Sequence, residues 1–353
     1  MSWFTDLFSA WQQSLFEGVV QPLLFGLGLG AVLEDGYVAT GWLLVGLLQL
    51  VVLMAVIGPL QRWRPVEPVT DIATIRTDVL YTLIHRLGVF RVVLFFSIEP
   101  LMDELVGHLR VMGVGSFQLD GLWPGVTDKG WVSFVFYLVV LDFVDYWMHR
   151  AQHQFNWWWQ LHSLHHAQRQ MTMWSDNRNH LLDDLLRDVL LVAVAQTIGV
   201  APAQFVAIVA FTQLSESFQH ANLRIWFGAV GERLWVSPRF HRLHHSIGIG
   251  HETPLKPVDR KLPAGPPQGK LAPLGGSEPH VVGSVGVKLG GHNFGVLLPW
   301  WDMLFGTANF EQRYDPTGVR DQVEPDAQGR VRVYGDGFWS QQWLGLKRLA
   351  GKA

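Results

Sequence analysis

The sequence contains no cysteine and few charged residues, and both shortages narrow what the protein can be. Without cysteine, a chain has no disulfides, thiolate zinc sites, iron–sulfur clusters or cysteine nucleophiles. Charged residues make up 16% of the 353 residues, whereas a soluble domain has about 25%. The 27 basic and 30 acidic residues give a net charge of −3. This balance excludes a nucleic-acid-binding protein that relies on bulk positive charge, and we expect no nucleic-acid partner.

The chain has few charged residues because it contains long apolar segments. Residues 36–61 contain no charged residue and reach the roughly 20 residues that a membrane-spanning helix needs. Weaker segments at 15–33, 79–102 and 131–148 each contain between one and three charged residues. A fifth region, 189–211, is broken by a Gly-Val-Ala-Pro run, and its two arms favour a shallow helical hairpin. The pattern predicts an all-α fold: an integral membrane helical bundle.

The basic residues predict the orientation of this bundle. Three arginines lie between residues 61 and 78, whereas the turn at Glu34 and Asp35 has no basic residue. Cytoplasmic loops are enriched in Lys and Arg, which places the 61–78 loop in the cytoplasm. The chain then returns to the cytoplasm after Met148. We therefore expect a multi-pass membrane protein with a helical cap on its cytoplasmic side.

We expect three parts in the chain. Residues 1–130 hold the N-terminal transmembrane helices and their loops, and residues 131–310 form a second domain that contains the clustered histidines. Within that domain, the Pro/Gly-rich residues 254–279 are expected to be a flexible insertion. Residues 311–353 form a cytoplasmic tail, in which 338–349 predicts an amphipathic helix. That helix can pack on the protein's own cap or dock on the membrane surface.

Eight of the fifteen histidines fall into three clusters with helical spacing. One cluster has the pattern HxxxH and two have the pattern HxxHH; they consist of His149 and His153, of His162, His165 and His166, and of His241, His244 and His245. Side chains three or four residues apart share one face of a helix. Adjacent histidines diverge by about 100°, so the pattern suits two metal ions, or one ion with a supporting histidine. Burying eight imidazoles without metal would require many specific partners.

Carboxylates near the first cluster suggest how its ligands are oriented. Asp145 precedes His149 by one helical turn, and Asp142 precedes Asp145 by another. A carboxylate there can accept the second imidazole N–H and fix the tautomer of a metal ligand. Imidazole suits zinc, copper, iron and nickel alike. Eight candidate ligands exceed what one tetrahedral zinc requires, which favours two ions.

Four stretches together carry a family resemblance. They are DFVDYWMHRAQH (142–153), WWQLHSLHH (158–166), HRLHHS (241–246) and NFGVLLPWWDMLFGT (293–307). In order and spacing they resemble the sterol desaturase/fatty acid hydroxylase superfamily, over about residues 131–310. The resemblance implies an integral membrane enzyme with a non-haem di-iron centre held by histidines, and it implies that residues 131–310 are the catalytic domain.

The resemblance also implies a ligand set, with no catalytic residues beyond the metal ligands. Nine histidines are implied as ligands: His149, His153, His162, His165, His166, His220, His241, His244 and His245. Among them, His220 lies in the FQHAN stretch at 218–222, and Glu216 one turn earlier is its possible supporting partner. His180 and His292 are further candidates for metal ligands or supporting residues, as is Asp145.

The implied activity is hydroxylation or desaturation of a C–H bond in a lipid such as a sterol, a fatty acyl chain or a membrane lipid. Two iron ions would be the cofactors, replaceable by zinc in overexpressed protein, and O2 the co-substrate. The active site would lie on the cytoplasmic side of the membrane.

The electrons must come from another protein, because the sequence has no His-Pro-Gly-Gly haem motif and no GxGxxG nucleotide-binding motif that opens a βαβ unit. We expect a separate electron-transfer protein and its reductase. Four arginines either form a basic docking surface for this carrier or only mark the cytoplasmic side of the protein: Arg150, Arg169, Arg178 and Arg187. The alternative function is a zinc-dependent membrane hydrolase or a metal-binding transport component. A hydrolase needs a carboxylate base near the zinc, and glutamate is scarce near these clusters.

Overall fold

The computed structural model of the protein describes residues 2–90, 99–113, 115, 117–247, 291–326 and 328–352. Within these residues the regular structure is helical, and extended pairing is limited to an isolated bridge between Ser246 and Thr317. The predicted all-α class is therefore confirmed for this part of the chain. The predicted insertion at 254–279 lies outside the described residues, as does part of the predicted span at 79–102.

The helices are numbered here in chain order. They are α1 (Ser2–Leu15), α2 (Gln21–Gly26), α3 (Leu33–Val52), α4 (Gly58–Trp63), α5 (Ile72–Arg86), α6 (Glu99–Val111), α7 (Gly130–Gln154), α8 (Asn156–His166), α9 (Leu181–Thr197), α10 (Pro202–Gln219), α11 (Gly228–Leu234), α12 (Pro238–His244), α13 (Trp300–Phe305) and α14 (Phe338–Leu349). Short π-helical turns, Phe16–Val20 and Leu53–Ile57, join α1 to α2 and α3 to α4.

Two helical stretches in the described part are long and apolar enough to cross a membrane. They are Gly30–Trp63, which includes α3 and α4, and Gly130–Gln154, which is α7. Only 39% and 44% of their most apolar windows are buried inside the protein. A core helix of a soluble protein would be mostly buried, so the outward apolar surface favours contact with lipid. The number of crossings and their orientation remain predictions.

A close crossing joins α3 to α5. A Cβ atom on Gly46 would lie 1.6 Å from the carbonyl oxygen of Arg86, so only glycine fits there. Beyond this contact the Arg86 side chain is 2% exposed, and its guanidinium donates to Gln49 and Gln213. It also lies 3.0 Å from Asp176 Oδ2. A buried charge needs such partners, and these partners connect α3, α5 and α10.

The break predicted in the fifth apolar region lies between α9 and α10, where Gly199 has a φ of 80°. The two helices are 17 and 18 residues long, and thus longer than the apolar arms alone. Their polar ends extend beyond the apolar region and carry Asp183 and Glu216 toward the histidines. Tyr137 and Leu141 of α7 pack with both helices in one buried cluster.

Helix α14 covers residues 338–349, where the amphipathic pattern predicts a helix. Its buried face packs on α8, and Arg348 Nε donates to the carbonyl of Gln160 at 3.1 Å. A Cβ on Gly345 would lie 2.2 Å from the His180 ring, so the helix approaches that ring closely. On the opposite face, Trp339 and Trp343 are 80% and 60% exposed. One face thus packs on the protein and the other remains available for another surface.

Candidate metal centre

The first pair of predicted ligands lies at the carboxyl end of α7. His149 and His153 are one turn apart and are 7% and 0% exposed. The helix ends at Gln154, and the extended backbone of Phe155 turns the chain into α8. His149 Nδ1 donates to the carbonyl oxygen of Phe294 at 2.8 Å. The neutral ring therefore has an unprotonated Nε2.

Helix α8 carries the second cluster, and a buried carboxylate orients its first histidine. His162 Nδ1 donates to Asp183 Oδ2 at 3.0 Å. Asp183 lies in the first turn of α9, and its Oδ1 accepts from Gln152 Nε2 and Trp158 Nε1, both at 2.7 Å. Burial alone would raise the pKa of Asp183, but these hydrogen bonds hold it below its usual value. Asp183 is thus a carboxylate partner of a predicted ligand, a role that the sequence did not indicate.

The third cluster lies on the short helix α12. Ser237 begins this helix, since its Oγ accepts from the backbone N–H of Phe240 at 3.1 Å. The helix and the residue that follows it present His241, His244 and His245, all buried. His244 Nδ1 donates to the carbonyl of His292 at 2.8 Å. As for His149, a backbone carbonyl fixes the tautomer.

His220, placed by the family resemblance, directly follows α10. Its Nδ1 donates to the carbonyl of Glu216 at 2.8 Å, so its Nε2 is the unprotonated nitrogen. That Nε2 lies 3.1 Å from His165 Nε2 and 3.1 Å from His241 Nε2. Three sequence-distant elements thus direct their ring nitrogens at one point.

All nine predicted ligands fall into groups that can hold a metal ion. The first group is His149, His153, His162 and His166; the second is His165, His220, His241 and His245; and a third set, His166, His244 and His245, connects the two. Within each group the ligand atoms lie within 4.8 Å of one another. The adjacent pair His165 and His166 is divided between the first two groups, as the divergence of neighbouring helical side chains predicts.

The donor chemistry of the second group fits a cation. Neighbouring Nε2 atoms are separated by 3.1 to 3.2 Å, and nitrogens bound to one ion at about 2.0–2.1 Å would be about 3 Å apart. Burial lowers the pKa of all four imidazoles, so they are neutral and their lone pairs converge. In the neighbouring groups, buried Nε2 atoms of His162, His166 and His244 have no hydrogen-bond partner within the described residues.

The NFGVLLPWWDMLFGT stretch has a structural role next to the first group. Asp302 accepts from the backbone N–H groups of Phe294 and Gly295 at 2.8 and 2.7 Å. Thr307 Oγ1 also donates to Asp302, at 2.6 Å. The closed loop holds the Phe294 carbonyl against His149. Asp302 therefore supports a predicted ligand through the backbone, a role that a motif match alone does not reveal.

Asp142 and Asp145 do not support the first cluster in the way that their spacing suggests. Asp142 accepts from the backbone N–H groups of Leu297 and Leu298 at 2.7 and 3.2 Å. Asp145 Oδ1 lies 3.4 Å from Arg187 Nη2. Both carboxylates thus face other helices and loops instead of an imidazole, because the tertiary contacts of α7 determine which of its faces meets the histidines.

The three remaining candidates lie near the groups but outside them. The Glu216 side chain lies 3.8 Å from Arg187, and only its backbone carbonyl supports His220. Both ring nitrogens of His180 are hydrogen bonded: Nδ1 accepts from Leu182 N at 3.1 Å, and Nε2 donates to the Gln342 carbonyl at 2.9 Å. His180 thus caps α9. His292 supports His244 through its carbonyl, and burial lowers the pKa of its own ring to about 4.

The predicted basic docking surface is wrong for Arg178, which is buried. Arg178 is 4% exposed and lies 3.5 Å from Asp78 Oδ1. Arg187 lies beside the histidines and pairs with Asp145. Arg169 is exposed. Sequence alone could not separate these residues, because a buried arginine and a surface arginine have the same local pattern.

Residues 134–253 match the fatty acid hydroxylase family. This stretch includes the three histidine clusters and His220. No solved structure matches the chain.

Three curated relatives are similar to parts of the chain. An ornithine lipid hydroxylase of Rhizobium tropici is 26% identical over 195 residues, which is 55% of this chain and 57% of the relative. An alkylglycerol monooxygenase of Caenorhabditis elegans is 26% identical over 118 residues, or 33% of this chain and 23% of the relative. A Delta(7)-sterol-C5(6)-desaturase of Nicotiana tabacum is 25% identical over 246 residues, or 66% of this chain and 69% of the relative. The chain thus spans less than two thirds of the first two relatives.

Proposed function

Because the chain belongs to the sterol desaturase/fatty acid hydroxylase superfamily, we propose that it is a membrane-bound di-iron oxygenase that hydroxylates or desaturates a C–H bond of a lipid. The observation that carries the proposal is the convergence of nine buried histidines from four separate elements into adjoining groups. The relatives, whose names include hydroxylase, monooxygenase and desaturase, support oxidation of a lipid as the reaction class.

Two separate groups of histidines would hold the two ions. The first group, with His149, His153, His162 and His166, would hold one ion, and the second group, with His165, His220, His241 and His245, the other. His244 lies at the contact between the groups. When bound, iron supplies the O2 and one-electron chemistry that protein side chains lack.

Other residues of the chain fix the tautomer of these ligands. The carboxylate of Asp183 and the carbonyls of Phe294, Glu216 and His292 hold four imidazoles in the Nδ1–H tautomer. Each Nε2 is then available as a ligand without deprotonation. Burial lowers the pKa of His220 and His244, so that these two rings are neutral, and it limits the access of water to the centre.

The stoichiometry of hydroxylation requires an electron donor. Converting R–H to R–OH with O2 consumes two electrons and two protons and releases one water. We propose that a separate electron-transfer protein and its reductase supply these electrons. This part of the proposal rests on the absence of cysteine and of haem and nucleotide motifs in these 353 residues.

We further propose that the protein is multi-pass, with the histidines on the cytoplasmic side. Two apolar helices support membrane insertion, and the arginine-rich loop at 61–78 supports the orientation. A reporter fused after Asp71 should score cytoplasmic and one at Glu34 external. The reverse pattern would contradict the orientation.

The activity is tested by supplying the purified, iron-loaded protein with a ferredoxin-type carrier, its reductase, NADPH and a total lipid extract. We expect O2 consumption together with new lipid masses shifted by +16 for hydroxylation or by −2 for desaturation. The variant His165→Ala should abolish both, and the exposed His108→Ala should not. Lipid hydrolysis without O2 consumption, in a protein that requires zinc, would instead support the hydrolase alternative.

A further inference from the structure

A second cavity adjoins the histidine centre. Its volume is about 110 Å³, whereas about 10–15 Å³ is enough for one water molecule. Four residues line both this cavity and the space next to the histidines: Asp176, Asn179, Arg187 and Glu216. The cavity therefore adjoins the candidate metal centre and is large enough for part of a substrate.

One part of the cavity wall is apolar. It is formed by side chains of α7, α9 and α10, namely Leu141, Leu191, Ile208 and Val209. Because α7 is one of the two candidate membrane-spanning helices, this wall extends from the apolar part of the molecule. It suits an alkyl chain.

The remaining wall is acidic. Six carboxylates line the cavity: Asp142, Asp145, Asp176, Asp184, Asp188 and Glu216. Arg187 is the single arginine or lysine in this lining of described residues, and His85 is the single histidine. The lining therefore contains more carboxylates than basic groups.

Asp142 and Asp176 have structural roles in the fold. Asp142 accepts backbone N–H groups and the indole N–H of Trp301. Asp176 lies 3.0 Å from Arg86 Nη2 and accepts from Ser217 Oγ at 2.7 Å. These two acids stabilise the fold and do not require a ligand.

Three acids, Asp145, Glu216 and Asp184, are less well compensated. Asp145 and Glu216 share one guanidinium, that of Arg187, at 3.4 and 3.8 Å. Asp184 is 8% exposed, and its Oδ2 has no hydrogen-bond partner within the described residues. Its ion-pair contact is His85 Nε2 at 3.3 Å, an imidazole that carries charge only when protonated. A buried carboxylate oxygen without a hydrogen bond is costly and indicates a missing donor.

We propose that this cavity binds the cationic group of an amphiphilic lipid, an amine or a quaternary ammonium, and that Asp184 helps to select it. This inference rests on the proposed function and specifies its substrate class. The alkyl part lies along the apolar wall, and the positive group faces the carboxylates. A neutral lipid would leave the acids without a cation, and an anionic lipid would be repelled.

The test is a binding competition that does not depend on turnover. The full-length protein in neutral maltoside micelles is incubated at pH 7.5 with equal amounts of dodecylamine, dodecanol and dodecanoate, and bound ligand is counted by native mass spectrometry. We expect the ammonium form to occupy the protein about tenfold more than the alcohol, equivalent to about 1.4 kcal/mol, and the carboxylate least. Equal occupancy of the three probes would overturn the proposal, whether or not the protein is an active oxygenase.

Single substitutions test whether residues of the cavity cause this selectivity for the ammonium group. Asp184→Asn should reduce the preference for dodecylamine over dodecanol at least threefold, whereas Asp336→Asn, which removes an exposed acid outside the cavity, should not. If Asp184→Asn does not fold, Asp188→Asn removes a second acid of the same lining. An unchanged preference in the folded variants would overturn the assignment.

A further experiment repeats the dodecylamine binding measurement in the presence of Mg²⁺ at millimolar concentration. Retention of dodecylamine in its presence supports a lipid cation. Complete displacement would assign the acids to an inorganic cation and contradict the proposal. Selective binding without any lipid oxidation would contradict the proposed function and leave this inference intact.

Discussion

Replacing Asp183 by asparagine should weaken one metal position and leave the other intact. The two side chains have almost the same shape, so the change is electronic. Asp183 Oδ1 accepts from Gln152 and Trp158, whereas Oδ2 accepts from His162 Nδ1 at 3.0 Å. The asparagine oxygen would keep the first two donors, and its NH2 group would face His162. The NH2 group of the asparagine and the Nδ1–H of His162 would then face each other, and neither could accept a hydrogen bond.

The ring of His162 can relieve this conflict by moving its proton to Nε2, which removes the lone pair from the first group. Loss of such a supporting hydrogen bond costs about 10–100-fold in metal affinity, or about 1.4–2.7 kcal/mol. The second group has no contact with Asp183 among the described hydrogen bonds, and its affinity should not change.

The assay is an anaerobic titration with Fe²⁺ that resolves two binding steps. Asp78→Asn is the matched control, because Asp78 is also buried but contacts Arg178 and Ser175 instead of a histidine. Asp78→Asn should lower thermal stability while keeping both iron steps. If Asp183→Asn binds two ions as tightly as the unmodified protein, Asp183 does not set the tautomer of a ligand and the reasoning fails.

Three further predictions follow from the geometry. His165→Ala should lose at least one ion per chain and all turnover while remaining folded; full metal content would remove His165 from the ligand set. Gly46→Ala places a methyl group 1.6 Å from the Arg86 carbonyl and should destabilise the protein by about 1–3 kcal/mol or more, whereas Gly107→Ala meets no atom within 4 Å and should not lower the melting temperature, because alanine is favoured over glycine inside a helix. Burial lowers the pKa of His166 and His245 well below 6.5, so the unfolded chain takes up protons at a higher pH than the folded protein does. The metal-free protein should therefore keep its stability above pH 6.5 and lose it as the pH falls below that value. An unfolding free energy that stays constant between pH 7 and 5 would contradict this prediction.

The grouping of the histidines can be predicted from the sequence because the information that determines it is local. HxxxH and HxxHH on helices determine which rings share a face, and the divergence of His165 from His166 is a property of any α-helix. His220 has no such partner nearby in the sequence, and only the family resemblance indicated it.

Supporting residues were less predictable because they depend on tertiary contacts. Asp145 has the right spacing from His149, yet the packing of α7 turns it toward Arg187. Asp183 reaches His162 from another helix. Three of the four tautomer-fixing acceptors are backbone carbonyls, of Phe294, Glu216 and His292, and a carbonyl has no sequence signature.

The burial of charge was equally hidden from the sequence. Arg178 and Arg187 looked like members of a basic surface, but the first pairs with Asp78 and the second lines the cavities beside the histidines. The acidic cavity itself combines residues from α7, α9 and α10. Its charge becomes visible only once these helices are packed together.

The central claim is that nine histidines form a centre for two metal ions, and the stoichiometry of bound iron tests it most directly. Protein loaded anaerobically with excess Fe²⁺, freed of unbound metal and analysed by plasma mass spectrometry should contain two iron ions per chain. The control His108→Ala should also contain two. A value of one or less in correctly folded, unmodified protein would contradict the account.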